Sequence, residues 1–125
     1  MMLRSTSIIF ALLTLGSWVS MADAQPKVVD DVLTDAAGMS LYWWDNDSPG
    51  SGKSVCNHAC ALSWPPMVAK DDESATGDYS IITRDDGKRQ WVYKGRPLYL
   101  WVNDQKPGDR TGDGFRGGTW HLAKP

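Results

Sequence analysis

The ten residues GMSLYWWDND (38–47) return 57 residues later as GRPLYLWVND (95–104). Six of the ten positions are identical, namely Gly, Leu, Tyr, Trp, Asn and Asp. The similarity continues more loosely, because each copy is followed by a Pro-Gly pair and closes on a Trp, Trp64 in the first and Trp120 in the second. Two copies are too few for an open solenoid, so we expect them to pack on each other around a shared core.

Each copy alternates with a period of two, which is typical of a β-strand. Both faces of the strand are apolar, a pattern that favours a strand covered on both sides. One choice of inner face consists of Leu41, Trp43, Leu98 and Leu100. The opposite set, exposed or in a second layer, is then Tyr42, Trp44, Tyr99 and Trp101, and with Asp47 and Asp104 it forms the candidate ligand-binding set.

The remaining patterns predict an all-β fold, a small, mainly antiparallel sheet or sandwich of about six strands built from the duplicated motif. Besides the first copy of the motif, the predicted strands are 28–33, 79–84, 88–93, 96–102 and 118–123. We expect at most one short helical turn near 54–62, because Pro65 and Pro66 end any helix there. The polar stretches 70–78 and 105–118 are predicted loops.

The first residues are typical of an export signal. One base, Arg4, precedes an apolar run from Ile8 to Leu15, and Ala22-Asp23-Ala24 forms a small-x-small cleavage site. We predict that residues 1–24 are a cleaved signal peptide, because the apolar run is shorter than the roughly 20 residues of a spanning helix. The predicted product, 25–125, is a single soluble domain without a transmembrane segment, periplasmic or secreted.

Composition narrows the class of function. The 125 residues carry 13 basic and 15 acidic side chains, and this near-neutral balance gives no electrostatic reason to expect a nucleic-acid partner. The sequence contains neither Gly-x-Ser-x-Gly nor His-Glu-x-x-His, and only two histidines. We therefore favour a non-enzymatic protein.

The combined motifs resemble a known bacterial family. The resemblance rests on three motifs, which are Leu-Tyr-x-Trp-x-x-Asp (41–47), Cys-x-x-x-Cys-Ala-x-x-Trp-Pro-Pro (56–66), and the run from Arg84 to Asp104 with a closing Trp120. They are similar to the secreted-repeat proteins of unknown function, described as predicted lipoproteins with a Tyr-x-[Phe/Trp/Tyr]-x-x-Asp motif. The resemblance implies export and a compact repeat fold, and no catalytic residues. This chain departs from it by lacking a lipidation Cys at Gln25, and by His58 where similar sequences often have Gly.

Cys56 and Cys60 allow three interpretations. In an exported protein the first is a structural disulfide. Ideal helix spacing holds such Cβ atoms about 5–6 Å apart, so a bridge implies a distorted turn. The second is a Cu or Zn site made by Cys56, His58, Cys60 and His121, with Met67 as a further candidate ligand. The third is thiol redox chemistry.

Three hypotheses for the function follow. The first is a binding module that holds an envelope component or small molecule on its aromatic strands, without a cofactor. The second is a periplasmic metal or redox protein that uses the Cys pair. The third is a purely structural repeat domain whose aromatic residues all pack inward.

Overall fold

A computed structural model describes residues 25–125, so the predicted signal peptide lies outside the described residues. The strands are short and pair in antiparallel fashion, and two short helical segments accompany them. In chain order the elements are β1 (Lys27–Val29), β2 (Val32–Thr34), β3 (Tyr42–Trp44), α1 (Ala59–Ser63), β4 (Val68–Ala69), β5 (Tyr79–Thr83), β6 (Arg89–Tyr93), β7 (Arg96–Pro97), α2 (Phe115–Gly118) and β8 (Trp120–Leu122).

The all-β prediction is confirmed, with corrections in detail. The predicted strand 28–33 is instead a hairpin, β1 paired with β2. Asp30 and Asp31 both have left-handed φ angles, of 50° and 65°, and form its turn. Asp tolerates this conformation better than most residues, so the valines on either side face each other across the hairpin.

Two helical segments are present where at most one was predicted. The first, α1, begins at Ala59 within the predicted stretch and ends at Ser63, one residue beyond it and just before Pro65. The second, α2, lies at the end of the stretch 105–118, which was wrongly predicted to be loop throughout. It is an irregular turn, because Arg116 and Gly117 have left-handed φ angles, and this explains why no helical periodicity marks it.

Strands of one copy pair with strands of the other. Tyr42 and Tyr99, which occupy the same position in the two copies, donate their amides to each other's carbonyl oxygens at 2.9 Å. β3 pairs with β8 in the second copy, while Leu100 and Val102 of the second copy donate to Pro65 and Ser63 of the first. Equivalent residues that pair with each other are the signature of a pseudo-twofold axis.

A central four-stranded sheet contains β4, β6 and β5 in that order, with β7 also paired to β6. Hydrophobic residues pack in two clusters, and each cluster draws on both copies. Leu41 and Leu98 belong to one cluster, and Tyr42 and Tyr99 belong to the other. Both faces of the motif strands are therefore covered, as expected. Within residues 25–125, no helix is long and apolar enough to cross a membrane.

Candidate functional site

Tyrosine and aspartate of the repeated motif pair across the copies. The Tyr42 hydroxyl donates to Asp104 Oδ2 at 2.6 Å, and the Tyr99 hydroxyl donates to Asp47 Oδ2 at 2.5 Å. The second oxygen of each carboxylate accepts a backbone amide, from Val55 at Asp47 and from Thr111 at Asp104. Each copy thus supplies the tyrosine for one pair and the aspartate for the other.

These four residues are interior. Tyr42 and Tyr99 are 0% exposed, and Asp47 and Asp104 are 1% and 7% exposed. The sequence predicts these four residues to belong to the candidate ligand-binding set, with the tyrosines exposed or in a second layer. The structure puts both tyrosines fully inside, because a strand with two apolar faces in a small domain is covered on both. Their hydroxyls and carboxylates satisfy each other, so the pairs stabilise the contact between copies.

Burial sets the ionisation of these groups. Burial, and then the hydrogen bond to an aspartate, raise the pKa values of Tyr42 and Tyr99 well above 10.0. Burial also raises the pKa of Asp47, although hydrogen bonds from Tyr99 and the Val55 amide and the charge of Arg84 act in the opposite direction.

The two pairs differ in their surroundings. The buried guanidinium of Arg84 lies near the Asp47 pair, and the hydrogen-bond partners of the Asp104 pair include no cation. The Arg84 side chain is 0% exposed. Arg84 Nη1 donates to Ser54 Oγ at 2.9 Å, and Ser54 Oγ lies 2.5 Å from the Tyr99 hydroxyl. Since Tyr99 gives its proton to Asp47, Ser54 donates to Tyr99, and a chain of hydrogen bonds joins the guanidinium to the carboxylate. At the other pair, the Gly112 amide donates to the Tyr42 hydroxyl at 3.2 Å.

Cys56 and Cys60 form a disulfide, with their Cα atoms 5.2 Å apart. The predicted distorted turn is present, because His58 between them has φ 56° and ψ −121° and precedes the first residue of α1. This φ angle explains why glycine would suit the position. Arg84 Nη2 donates to the Cys56 carbonyl at 2.9 Å, so the turn is also held from inside.

The structure does not support the alternative metal site of Cys56, His58, Cys60 and His121. Both sulfurs are in the disulfide, which removes the thiolates that Cu or Zn would need. His121 stacks on Trp43 with ring centroids 4.1 Å apart, and its Nε2 lies 3.0 Å from Asp45 Oδ1. Among residues 25–125, no three His, Cys, Asp or Glu side chains are grouped as metal ligands.

Four tryptophans form one stack across the pseudo-twofold axis, which passes between the two central rings. The central rings, Trp64 and Trp120, are 3.8 Å apart and 2° from parallel. Trp44 stacks on Trp120 at 5.0 Å, and Trp101 stacks on Trp64 at 4.0 Å. Trp44 and Trp101 are equivalent in the repeat, as are the two central rings, so the stack has the symmetry of the duplication.

The stack borders an open cleft of about 660 Å³ between α1 and α2. This volume lies within the usual range for small-molecule sites. The cleft takes its walls from matching positions of the two copies. They are Trp44 with Trp101, Ala59 with Phe115, Cys60 with Arg116, Ser63 with Thr119, and Trp64 with Trp120, and Asn46 completes the lining.

Of the predicted ligand-binding residues, the structure places only Trp44 and Trp101 at this cleft. Sequence reasoning missed Phe115 and Arg116, which are exposed on α2. The signal was available in the alignment of the copies, because a large aromatic and a cation stand where the first copy has Ala59 and Cys60. Both lie in a glycine-rich stretch that was predicted as a loop.

The comparison with known families agrees with this duplication. Residues 30–68 and 80–124 each match the profile of a family described as secreted repeats of unknown function. The chain belongs to this secreted-repeat family. Each matched segment of the secreted repeat contains one copy of the motif strand and its closing tryptophan. No curated protein and no solved structure matches the chain.

Proposed function

We propose that this secreted-repeat protein is exported to the periplasm or beyond, after cleavage at Ala24, as a single domain. There it binds a small ligand without catalysis. The cleft between α1 and α2 carries the proposal, because it lies on the pseudo-twofold axis and both copies line it. A position where two copies meet concentrates side chains from several elements, and ligands often occupy such positions.

The lining suggests the chemistry of the ligand. Trp64 and Trp120 have neighbouring rings on their faces, so they offer mainly their edges to the cleft. Phe115 is 41% exposed and lies 4.6 Å from Trp101, centroid to centroid. Arg116 adds an exposed cation beside these rings. A flat, ring-bearing molecule with one negative charge matches this arrangement of aromatic and cationic groups.

The motif aspartates and tyrosines have no part in this proposal. Their polar atoms are already engaged with each other, and none of the four lines the cleft. The disulfide borders the cleft at Cys60, where it holds α1 in place. We assign it a structural role and no cofactor, in preference to the Cu, Zn and thiol-redox alternatives.

The test uses naphthalene-2-carboxylate as a probe, with the neutral 2-naphthamide beside it. The probe is titrated into the mature protein, and the indole N–H signals of the tryptophans are followed by NMR. We expect the signals of Trp44, Trp64, Trp101 and Trp120 to shift with saturation. Phe115→Ala, which installs the residue of the first copy, should weaken binding about tenfold through lost apolar contact. Arg116→Gln should weaken the carboxylate and leave the amide unchanged.

Leu62→Ala is the matched control, because Leu62 is 78% exposed and does not line the cleft. It should leave the affinity as it is. The proposal is wrong if the four indole signals stay in place at millimolar probe. It is equally wrong if the folded Phe115→Ala protein binds as tightly as the original.

A further inference from the structure

A second concavity, of about 130 Å³, lies on the surface where the β6–β7 turn meets the C-terminal strand. We call it the Trp43 pocket. Trp43, Tyr93 and Leu98 provide its apolar lining, with Ala123 beside them. Its polar lining is entirely basic and consists of Lys94, Arg96 and Lys124.

Arg96 is positioned by an aromatic ring. The guanidinium carbon lies 3.7 Å from the centroid of Trp43, whose ring also stacks on His121. Lys94 lies over Tyr93 with its Nζ 5.3 Å from the ring centroid. A stacked guanidinium is restricted in orientation while its N–H groups stay available at the edge of the plane.

The three cations have no acidic partner in the part of the chain that the structure describes. No carboxylate oxygen lies within 4.0 Å of the side-chain nitrogens of Lys94, Arg96 or Lys124, and none of these nitrogens donates a hydrogen bond to a protein acceptor. His121, whose ring stacks on Trp43, has its own partner in Asp45. Three like charges around one small concavity leave a positive potential there.

The duplication supplies an internal comparison. The positions in the first copy that match Lys94, Arg96 and Lys124 are Ala37, Met39 and Val68. The position that matches Trp43 is Leu100 in the second copy. The backbone hydrogen bonds of the two regions agree, since Ala123 donates to Leu41 as Met67 donates to Leu98. The fold therefore does not require basic residues here, and the charge belongs to one copy alone.

We propose that the Trp43 pocket binds an oxyanion, a phosphate or carboxylate group, through Arg96 with Lys94 and Lys124. A guanidinium offers a planar fork to two oxygens of one anion, and the two ammonium groups add charge at short range. A pocket of this volume accommodates one anionic group of a larger molecule. The site is separate from the cleft, because the two share no lining residue.

Inorganic phosphate and acetate, each alone at constant ionic strength, are the probes. Shifts of the Trp43 indole and Arg96 Nε–H signals are followed by NMR. At least one anion should give saturable shifts in both signals, and the tighter of the two identifies the source as phosphate or carboxylate. Arg96→Met, which introduces the residue of the first copy, should weaken binding at least tenfold.

Lys53→Gln is the charge-matched control, since Lys53 is an exposed cation outside the pocket. It should bind the anion as the original protein does. Arg96 does not belong to either hydrophobic cluster, so the variant is expected to fold, and its NMR dispersion checks this. The proposal is overturned if neither anion moves the two signals, or if Arg96→Met and Lys53→Gln weaken binding equally.

Discussion

The two copies of the repeat agree in the motif pairs and the tryptophan stack and differ around them. Both have a buried tyrosine, a buried aspartate and two stacked tryptophans, and each tyrosine finds its aspartate in the other copy. Even α1 and α2 occupy matching positions after a residue with a left-handed φ angle, His58 and Gly114. What the copies share is therefore what holds them together.

The differences concern side chains outside the motif pairs and the tryptophan stack. The disulfide lies in the first copy, and the Asp47 pair is joined to the buried Arg84, whereas at the Asp104 pair the Gly112 amide donates to the tyrosine. At the cleft, Phe115 and Arg116 replace Ala59 and Cys60. At the Trp43 pocket, basic residues replace apolar ones. Divergence from a common scaffold marks the places where we propose binding.

The largest effect should come from the central rings. Trp64→Ala and Trp120→Ala each remove a ring that is at most 3% exposed and stacked on both faces. We expect each to lower the free energy of unfolding by about 3–5 kcal/mol. Urea denaturation followed by circular dichroism measures this. Because the rings are equivalent, the two losses should be similar, and a loss in only one variant would break the comparison.

The second-largest effect should be a loss of stability at alkaline pH, caused by the two buried tyrosines. Tyr42 and Tyr99 have pKa values raised above the ordinary 10.0, so the folded state keeps their protons where the unfolded state releases them. Their stabilisation is complete below pH 10 and is lost as the pH rises further. At pH 11 the two together should cost about 3 kcal/mol. Absorbance at 295 nm should show Tyr42 and Tyr99 ionising only when the protein unfolds. Ionisation of all four tyrosines of the chain before unfolding would contradict this.

A smaller effect should follow at the start of the helices. His58 has a left-handed φ angle, which costs a residue with a Cβ atom about 1–3 kcal/mol. Glycine removes this cost but adds freedom to the unfolded chain, so His58→Gly should stabilise by about 1 kcal/mol. At the matching position, Gly114→Ala should destabilise. Thermal melts compare the two, and stabilisation by both or by neither would contradict the account.

Local patterns predicted local structure well. The period of two located β3 in the first copy, whereas the predicted strand 96–102 of the second copy is reduced to β7 and an isolated bridge at Tyr99. The Asp85-Asp86-Gly87 turn placed the β5–β6 hairpin correctly. The two cysteines, in a chain predicted to be exported, correctly indicated the disulfide. These features depend on residues close in sequence, where side-chain alternation and turn propensity decide the outcome.

Partners distant in sequence were beyond such reasoning. Tyr42 and Asp47 lie in one motif, yet Tyr42 donates to Asp104, 62 residues away. Asp30 and Asp31 split a predicted strand because both adopt left-handed φ angles, which no glycine marks in the sequence. Phe115 and Arg116 gain their position only when α2 meets α1 across the cleft.

A double-mutant cycle tests the cross-copy pairing most directly. Tyr42→Phe is combined with Asp104→Asn, and separately with Asp47→Asn, and the free energies of unfolding are measured in urea. We predict a coupling energy of about 1–3 kcal/mol between Tyr42 and Asp104, and a value near zero between Tyr42 and Asp47. Strong coupling of Tyr42 to Asp47, with none to Asp104, would show that the motif acts within its own copy.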